Sequence, residues 1–101
     1  MTGSAEAFKT PKTKVVEELI IKNKLGLHLR PVKQFVIAAS KYTSDVFVKH
    51  QDINASGKSI ISMMTLVAAC GAKLKVTIVG EDAEAAMKEI RDLVENKFYE
   101  E

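Results

Sequence analysis

Gly26-Leu27-His28-Leu29-Arg30-Pro31 stands where a strand-like pattern ends and a helical one begins. Proline favours the first turn of a helix, where its missing N–H would go unpaired anyway. A residue just before proline is pushed towards extended geometry, so the helix is expected to start at or near the Arg30–Pro31 bond. Gly26 permits a tight turn ahead of it. The segment thus sets a lone histidine beside the N–H groups of a helix N-terminus, with a guanidinium two residues on. Such a place suits a dianionic phosphate, because the helix dipole and N–H groups attract it and Arg30 can grip its oxygens.

Downstream, Val32, Phe35, Val36, Ala39 and Tyr42 fall at helical spacing, with Lys33, Gln34 and Lys41 on the other face. This predicts a helix of about three turns with one side in a core. Upstream, Val15 to Lys22 is a β-branched strand candidate whose alternation is blurred by Glu17-Glu18. Asp45 to His50 reads as a second strand and Ile53 to Lys58 as a weak edge strand. Ser59 precedes the apolar run Ile60, Ile61, Met63, Met64, Leu66, Val67, an N-cap signal for a helix of about two turns ending near Cys70-Gly71. Not all of these side chains can face the core of so short a helix, which leaves an exposed apolar patch. Cys70 is expected to be a small buried hydrophobe and His50 a surface residue. Lys73 to Val79 alternates cleanly as a strand, and Ala86 to Phe98 marks a long amphipathic helix.

The order β-α-β-β-α-β-α predicts an α+β fold, an open-faced two-layer sandwich. A four-stranded, mostly antiparallel sheet would carry three helices on one face. Residues 1–14 are small, polar and basic and read as a flexible tail, leaving 15–101 as one domain. No apolar run approaches the roughly 20 residues that span a bilayer, and the first residues lack the apolar stretch of a secretory signal. A cytoplasmic monomer without membrane insertion is expected. Cys70 is the only cysteine, which excludes a disulfide framework, and neither it nor His50 has ligand-spaced partners, so no metal or other cofactor is assigned. The net charge of +2 hides an asymmetry. Residues 15–80 hold nine bases against four acids, and residues 81–101 three bases against eight acids. The basic half suits docking to acidic protein surfaces and is too mild to argue for nucleic acid.

Gly26-Leu27-His28-Leu29-Arg30-Pro31 resembles the active-site signature of HPr, the histidine phosphocarrier family of the bacterial phosphoenolpyruvate-dependent phosphotransferase system. Gly57 to Leu66 (GKSIISMMTL) resembles that family's second motif, which holds a regulatory serine. His28 and Ser59 are 31 residues apart, as in HPr proteins, and the element order matches from Val15 to Phe98. Taken alone, a His-x-Arg-Pro is more simply a helix-capping histidine with a solvated arginine; the second motif at the right distance reverses that judgement. The usual residue after the histidine is small or Thr, and here it is Leu29; the usual Ala after the proline is Val32. Asn23-Lys24-Leu25-Gly26 resembles the approach loop of nitrogen-branch relatives, whose carrier serves regulation.

The resemblance implies that Nδ1 of His28 carries a phosphoryl group received from enzyme I and passed to enzyme IIA domains, with Arg30 stabilising the phosphate. Neutral imidazole is a good nucleophile near pH 7. The chain would then be a stoichiometric carrier and not an enzyme. The resemblance also makes Ser59 the target of HPr kinase/phosphorylase in bacteria that have one. It places partner contacts on Leu29, Lys33, Ile37, Ser40, Ile60, Ile61 and Met64. The alternative is an HPr-like regulatory interaction module outside sugar uptake. A third class, a small RNA-binding domain, shares the β-α-β-β-α-β order but would need sheet aromatics, and the strands offer little beyond Phe47.

Overall fold

Lys14–Ile20 forms β1, the first strand of a sheet whose remaining members are β2 (Asp45–His50), β3 (Ile53–Ser56) and β4 (Lys73–Val79). Their order is β1-β4-β2-β3, and every pairing is antiparallel. Three helices, α1 (Leu29–Ser40), α2 (Ile60–Met64) and α3 (Ala83–Glu95), cover one face, and a 3-10 turn, Lys97–Tyr99, follows. The computed structural model describes residues 13–100, so the expected tail lies outside the described residues as far as residue 12. Of its last two positions, Lys14 opens β1 and Thr13 is hydrogen-bonded beside it. Gly80 N–H donates to the Thr13 carbonyl at 2.9 Å, and Lys14 pairs with Val79. The predicted two-layer α+β architecture and element order are therefore those observed.

Alternation assigns the two sheet faces. Val46, Val48, Leu74, Val76 and Ile78 point into the helical layer and are buried, while Phe47, Lys49, Lys73 and Lys75 point away and are exposed. Glu17 shares the inward parity of Leu19, yet it is charged. Arg91 of α3 resolves the conflict, its Nε and Nη2 each donating to one Glu17 carboxylate oxygen at 3.0 Å. The blurred alternation at Glu17-Glu18 is thus one paired inward acid and one outward acid. The core between the layers is built from Phe35, Met63, Leu74, Ile78, Met87 and Ile90.

Three helix ends and the burial of Cys70 differ from expectation. The first helix begins at Leu29, and Arg30 is helical although it precedes Pro31. The extended residue is His28, at φ −83° and ψ −173°. The clash that disfavours a helical residue before proline is a bias, which burial of Val32 and Phe35 in the same helix overrides. The second helix stops at Met64, short of two turns. Beyond it, Val67 takes a left-handed φ of 47° and stands exposed between buried Leu66 and Ala68. Cys70 is exposed, not buried, because it follows this turn and lies outside any element. The last helix ends at Glu95 instead of running through Phe98. Lys97, Phe98 and Tyr99 are all left-handed, a turn that swings Phe98 back into the core.

Asp82 heads α3 without capping it. Its carboxylate instead accepts from the N–H groups of Thr43 and Ser44, each at 2.9 Å, and from both hydroxyls. This ties the turn after α1 to the start of α3. The Ser44 hydroxyl above all, then the Thr43 N–H, hold the Asp82 carboxyl at about 2 against the opposing pull of burial. A folded-state value below the ordinary one contributes stability that is complete above about pH 4 and disappears as pH falls through about 2. Asp82→Asn is therefore expected to lower the thermal midpoint at pH 7 and to flatten the loss of stability between pH 4 and 2. Thermal unfolding of both proteins across that range checks it; parallel pH profiles would refute the latch.

Candidate phosphoryl-acceptor site

The turn that presents His28 is built from backbone bonds. Gly26 N–H donates to the Asn23 carbonyl at 3.1 Å, and His28 N–H donates to the Gly26 carbonyl at 3.0 Å. Leu27 N–H reaches across to the Ala68 carbonyl at 2.8 Å, fastening the turn to the segment after α2. His28 is the N-cap of α1, its carbonyl accepting from Val32 N–H at 3.1 Å, and its side chain does not cap the helix. The imidazole is thus left to other work. Pro31 is buried in the first turn and has no N–H, so Leu29 and Arg30 supply the early N–H groups.

The His28 ring is about one-third exposed and sits in a concavity of about 480 Å³ shared with Leu29, Arg30, Lys33, Gln34 and Ile37. A larger hollow of about 610 Å³ between α1 and α3 shares Gln34 and Ile37 with it but contains neither His28 nor Arg30. The smaller one brings an imidazole and two cations together. Nε2 of His28 lies 3.0 and 3.2 Å from the two carboxylate oxygens of Glu100. Glu100 also accepts from Asn23 Nδ2 at 2.7 Å, and the same amide donates to the Gly26 carbonyl at 2.7 Å. Burial pushes the Glu100 carboxyl up, but Asn23, His28 and the charge of Arg30 together hold it below its usual range. It is therefore ionised at neutral pH and accepts the Nε2 proton. Nδ1 has no hydrogen-bond partner among the described residues.

Asn23 and Glu100 are contacts that the sequence reading missed. Glu100 is 72 residues from His28, and no local pattern joins them. Among the described residues no group of three or more His, Cys, Asp or Glu side chains is placed to hold a metal ion.

The surface residues expected around the site divide cleanly. Leu29, Lys33, Ile37 and Ser40 are all exposed at helical spacing on one face of α1. Ile61 is 81% exposed and Ile60 and Met64 just under 40%, whereas Met63 and Leu66 are buried. An apolar patch on α2 is thus present. The two departures from the signature separate likewise. Leu29 lines the concavity, but Val32 is fully buried and packs in the core away from the site's surface. Ser59 is the N-cap of α2, its hydroxyl oxygen accepting from Ser62 N–H at 3.1 Å. His50, at the end of β2, is half-buried and donates from Nδ1 to the Leu66 carbonyl at 2.9 Å. No helix among the described residues is long and apolar enough to cross a membrane.

The sequence model of the family described as "PTS HPr component phosphorylation site" matches residues 15–96. The phosphocarrier protein HPr of Treponema pallidum is 37% identical over 87 residues, which is 86% of this chain and 99% of that one. The phosphocarrier protein NPr of Shewanella violacea is 33% identical over 88 residues, 87% of this chain and 97% of the relative. Among solved structures, HPr-C-His from Thermoanaerobacter tengcongensis superposes with a TM-score of 0.80 at 40% identity, covering 88% of this chain and 98% of that one. The antiparallel sheet and the three helices agree with these similarities: the chain belongs to the HPr family of phosphocarrier proteins of the phosphotransferase system.

Proposed function

We propose that this chain accepts a phosphoryl group from enzyme I on Nδ1 of His28 and hands it to enzyme IIA domains. The observation that carries the reading is the placement of His28 at the head of α1 with Nε2 engaged, beside Arg30 in an open concavity. In the transfer, the Nδ1 lone pair attacks phosphorus and the bond from phosphorus to the donor atom of enzyme I breaks. The electron pair of that bond returns to the donor. The Nε2 proton stays in place, so the phosphorylated ring carries a positive charge facing Glu100. Arg30 and the first-turn N–H groups balance the phosphoryl oxygens during in-line transfer. The helix dipole adds roughly 0.3–1 kcal/mol, enough to help hold the group without trapping it. Exposed Lys33 and Ile37, with Ile60, Ile61 and Met64, form the docking face.

Ser59 is proposed as the regulatory phosphorylation site. A phosphate there brings a charge of roughly −1.5 to −2 to the edge of the docking face and opposes partners that approach through acidic surfaces. A second reading, a carrier serving regulation and not sugar uptake, is favoured by Asn23-Lys24-Leu25-Gly26, in which Asn23 is fully buried at the site.

The reading is tested by incubation with active enzyme I, phosphoenolpyruvate and Mg²⁺, followed by intact mass and acid treatment. One acid-labile phosphoryl group per chain is expected, recovered on an enzyme IIA domain when that is added. No adduct from an enzyme I that phosphorylates its own cognate carrier would overturn it.

A further inference from the structure

We infer that Glu100, held by Asn23, is a positioning residue for phosphoryl transfer, keeping the imidazole proton on Nε2 and so selecting Nδ1 as the reacting atom. The inference rests on His28 being the acceptor, and it adds the device that prepares the ring. Three observations converge on Glu100.

The first is geometric. Both carboxylate oxygens lie within hydrogen-bonding distance of Nε2, and the Glu100 side chain is only 9% exposed. A shielded carboxylate that also accepts from an amide cannot itself donate, so the shared proton must be on the ring nitrogen. In neutral imidazole a proton on one nitrogen leaves a lone pair on the other. Nδ1 is then the nucleophile at every turnover.

The second is the behaviour of Asn23. It is completely buried, and its Nδ2 serves both the Gly26 carbonyl and Glu100 at 2.7 Å. Its Oδ1 is left buried with no hydrogen-bond partner. An orphaned acceptor is unfavourable, and the amide is held in this orientation by its two donor contacts. One of them shapes the turn that carries His28; the other fixes the carboxylate that faces it. A single buried side chain therefore sets the distance between ring and carboxylate.

The third is the route of the chain to Glu100. Lys97, Phe98 and Tyr99 have φ of 56°, 55° and 55°, a left-handed run in which each Cβ crowds the following carbonyl. Buried Phe98 anchors the run. Strain of this kind persists where the surrounding structure over-determines it, often at functional sites. Here it reverses the direction of the chain after α3 and delivers Glu100 to the head of α1.

The same carboxylate acts again after transfer. Nδ1-phosphoryl imidazole with a proton on Nε2 is cationic, and Glu100 faces that charge. Keeping the ring protonated keeps the nitrogen a good leaving group for onward transfer, with the bonding pair returning to Nδ1 as the P–N bond breaks.

Glu100→Gln tests this, because it preserves shape while removing the charge and adding donors. Ring ¹⁵N NMR of the unphosphorylated protein is expected to show the proton on Nε2 in the wild type and a shift towards Nδ1–H in the variant. Transfer from enzyme I at saturating donor is expected to fall about tenfold with half-saturation unchanged, and Glu100→Asp to restore part of the rate. A normal tautomer with a reduced rate would assign Glu100 a merely structural role and overturn the inference. A shifted tautomer with a normal rate would overturn it too. If the wild type accepts no phosphate, the carrier reading falls and the transfer role with it, whereas unchanged ring signals in a protein that does accept phosphate sink the Glu100 inference alone.

Discussion

His28→Ala is expected to take up no phosphate under conditions that convert the wild type fully, a loss limited only by detection in the mass spectrum. The size of the effect follows from the chemistry. In the proposed transfer the imidazole is the bond-forming group, and no neighbouring side chain can replace it: Arg30 and Lys33 are cations, and Glu100 faces the opposite ring nitrogen. Loss of the ring should leave the fold intact, because His28 is partly exposed and its carbonyl still accepts from Val32 N–H. Glu100 would keep its bond to Asn23. Arg30→Ala supplies the graded comparison. It leaves the nucleophile and removes one cation from the transferring phosphoryl group, which is expected to slow transfer about 10²–10³-fold without abolishing it. Residual adduct on His28→Ala at the wild-type level would move the acceptor to another residue. Equal losses in both variants would mean that Arg30 is needed for docking or folding.

The sequence made much of this arrangement legible because its strongest signals were local. Proline within the first helical turn, the serine before α2 and the alternation of β4 are each decided by residues within a few positions of one another, and each element is present, although α1 takes in Arg30 and α2 stops short of two turns. Signals failed where distant contacts took over. Phe98 continues the apolar spacing of α3, yet the helix ends before it because a left-handed turn buries that ring more directly. Val67 looks like one more helical apolar residue, but Leu66 and Ala68 are held on either side by bonds to His50 and Leu27. Its backbone must turn there. At the site, His28 and Arg30 were readable as a pair two residues apart, while Glu100 was not, since its approach depends on the packing of Phe98 and on a buried amide 77 residues away. Asn23 looked like an ordinary turn residue; only burial shows that it also faces the carboxylate.

Gly26→Ala is expected to lower stability by about 2–5 kcal/mol and to impair transfer through a residue that touches no phosphate. Two independent penalties add. Gly26 has φ of +69°, where an alanine is disfavoured by about 1–2 kcal/mol. A Cβ there would also stand 2.5 Å from the Ala68 carbonyl oxygen and 2.9 Å from Ala69 Cα. Both are backbone atoms, so no rotamer change relieves the overlap, and overpacking of this kind adds about 1–3 kcal/mol. The opposing segment cannot retreat cheaply. The Ala68 carbonyl accepts from Leu27 N–H, Ala72 N–H donates to the Ala69 carbonyl at 2.9 Å, and Gly71 N–H donates to the Ile21 carbonyl at 2.7 Å. Moving it breaks the bond that holds the His28 turn in place. Gly71→Ala separates the two penalties, because Gly71 has φ of +91° but nothing within 4 Å of an added Cβ. Denaturant midpoints at constant m are expected to show Gly26→Ala much the more damaged of the two, with slower phosphoryl transfer only in that variant. Equal midpoints would mean that conformational strain alone governs Gly26 and that the segment after α2 yields, in which case the transfer rate of Gly26→Ala should also be normal.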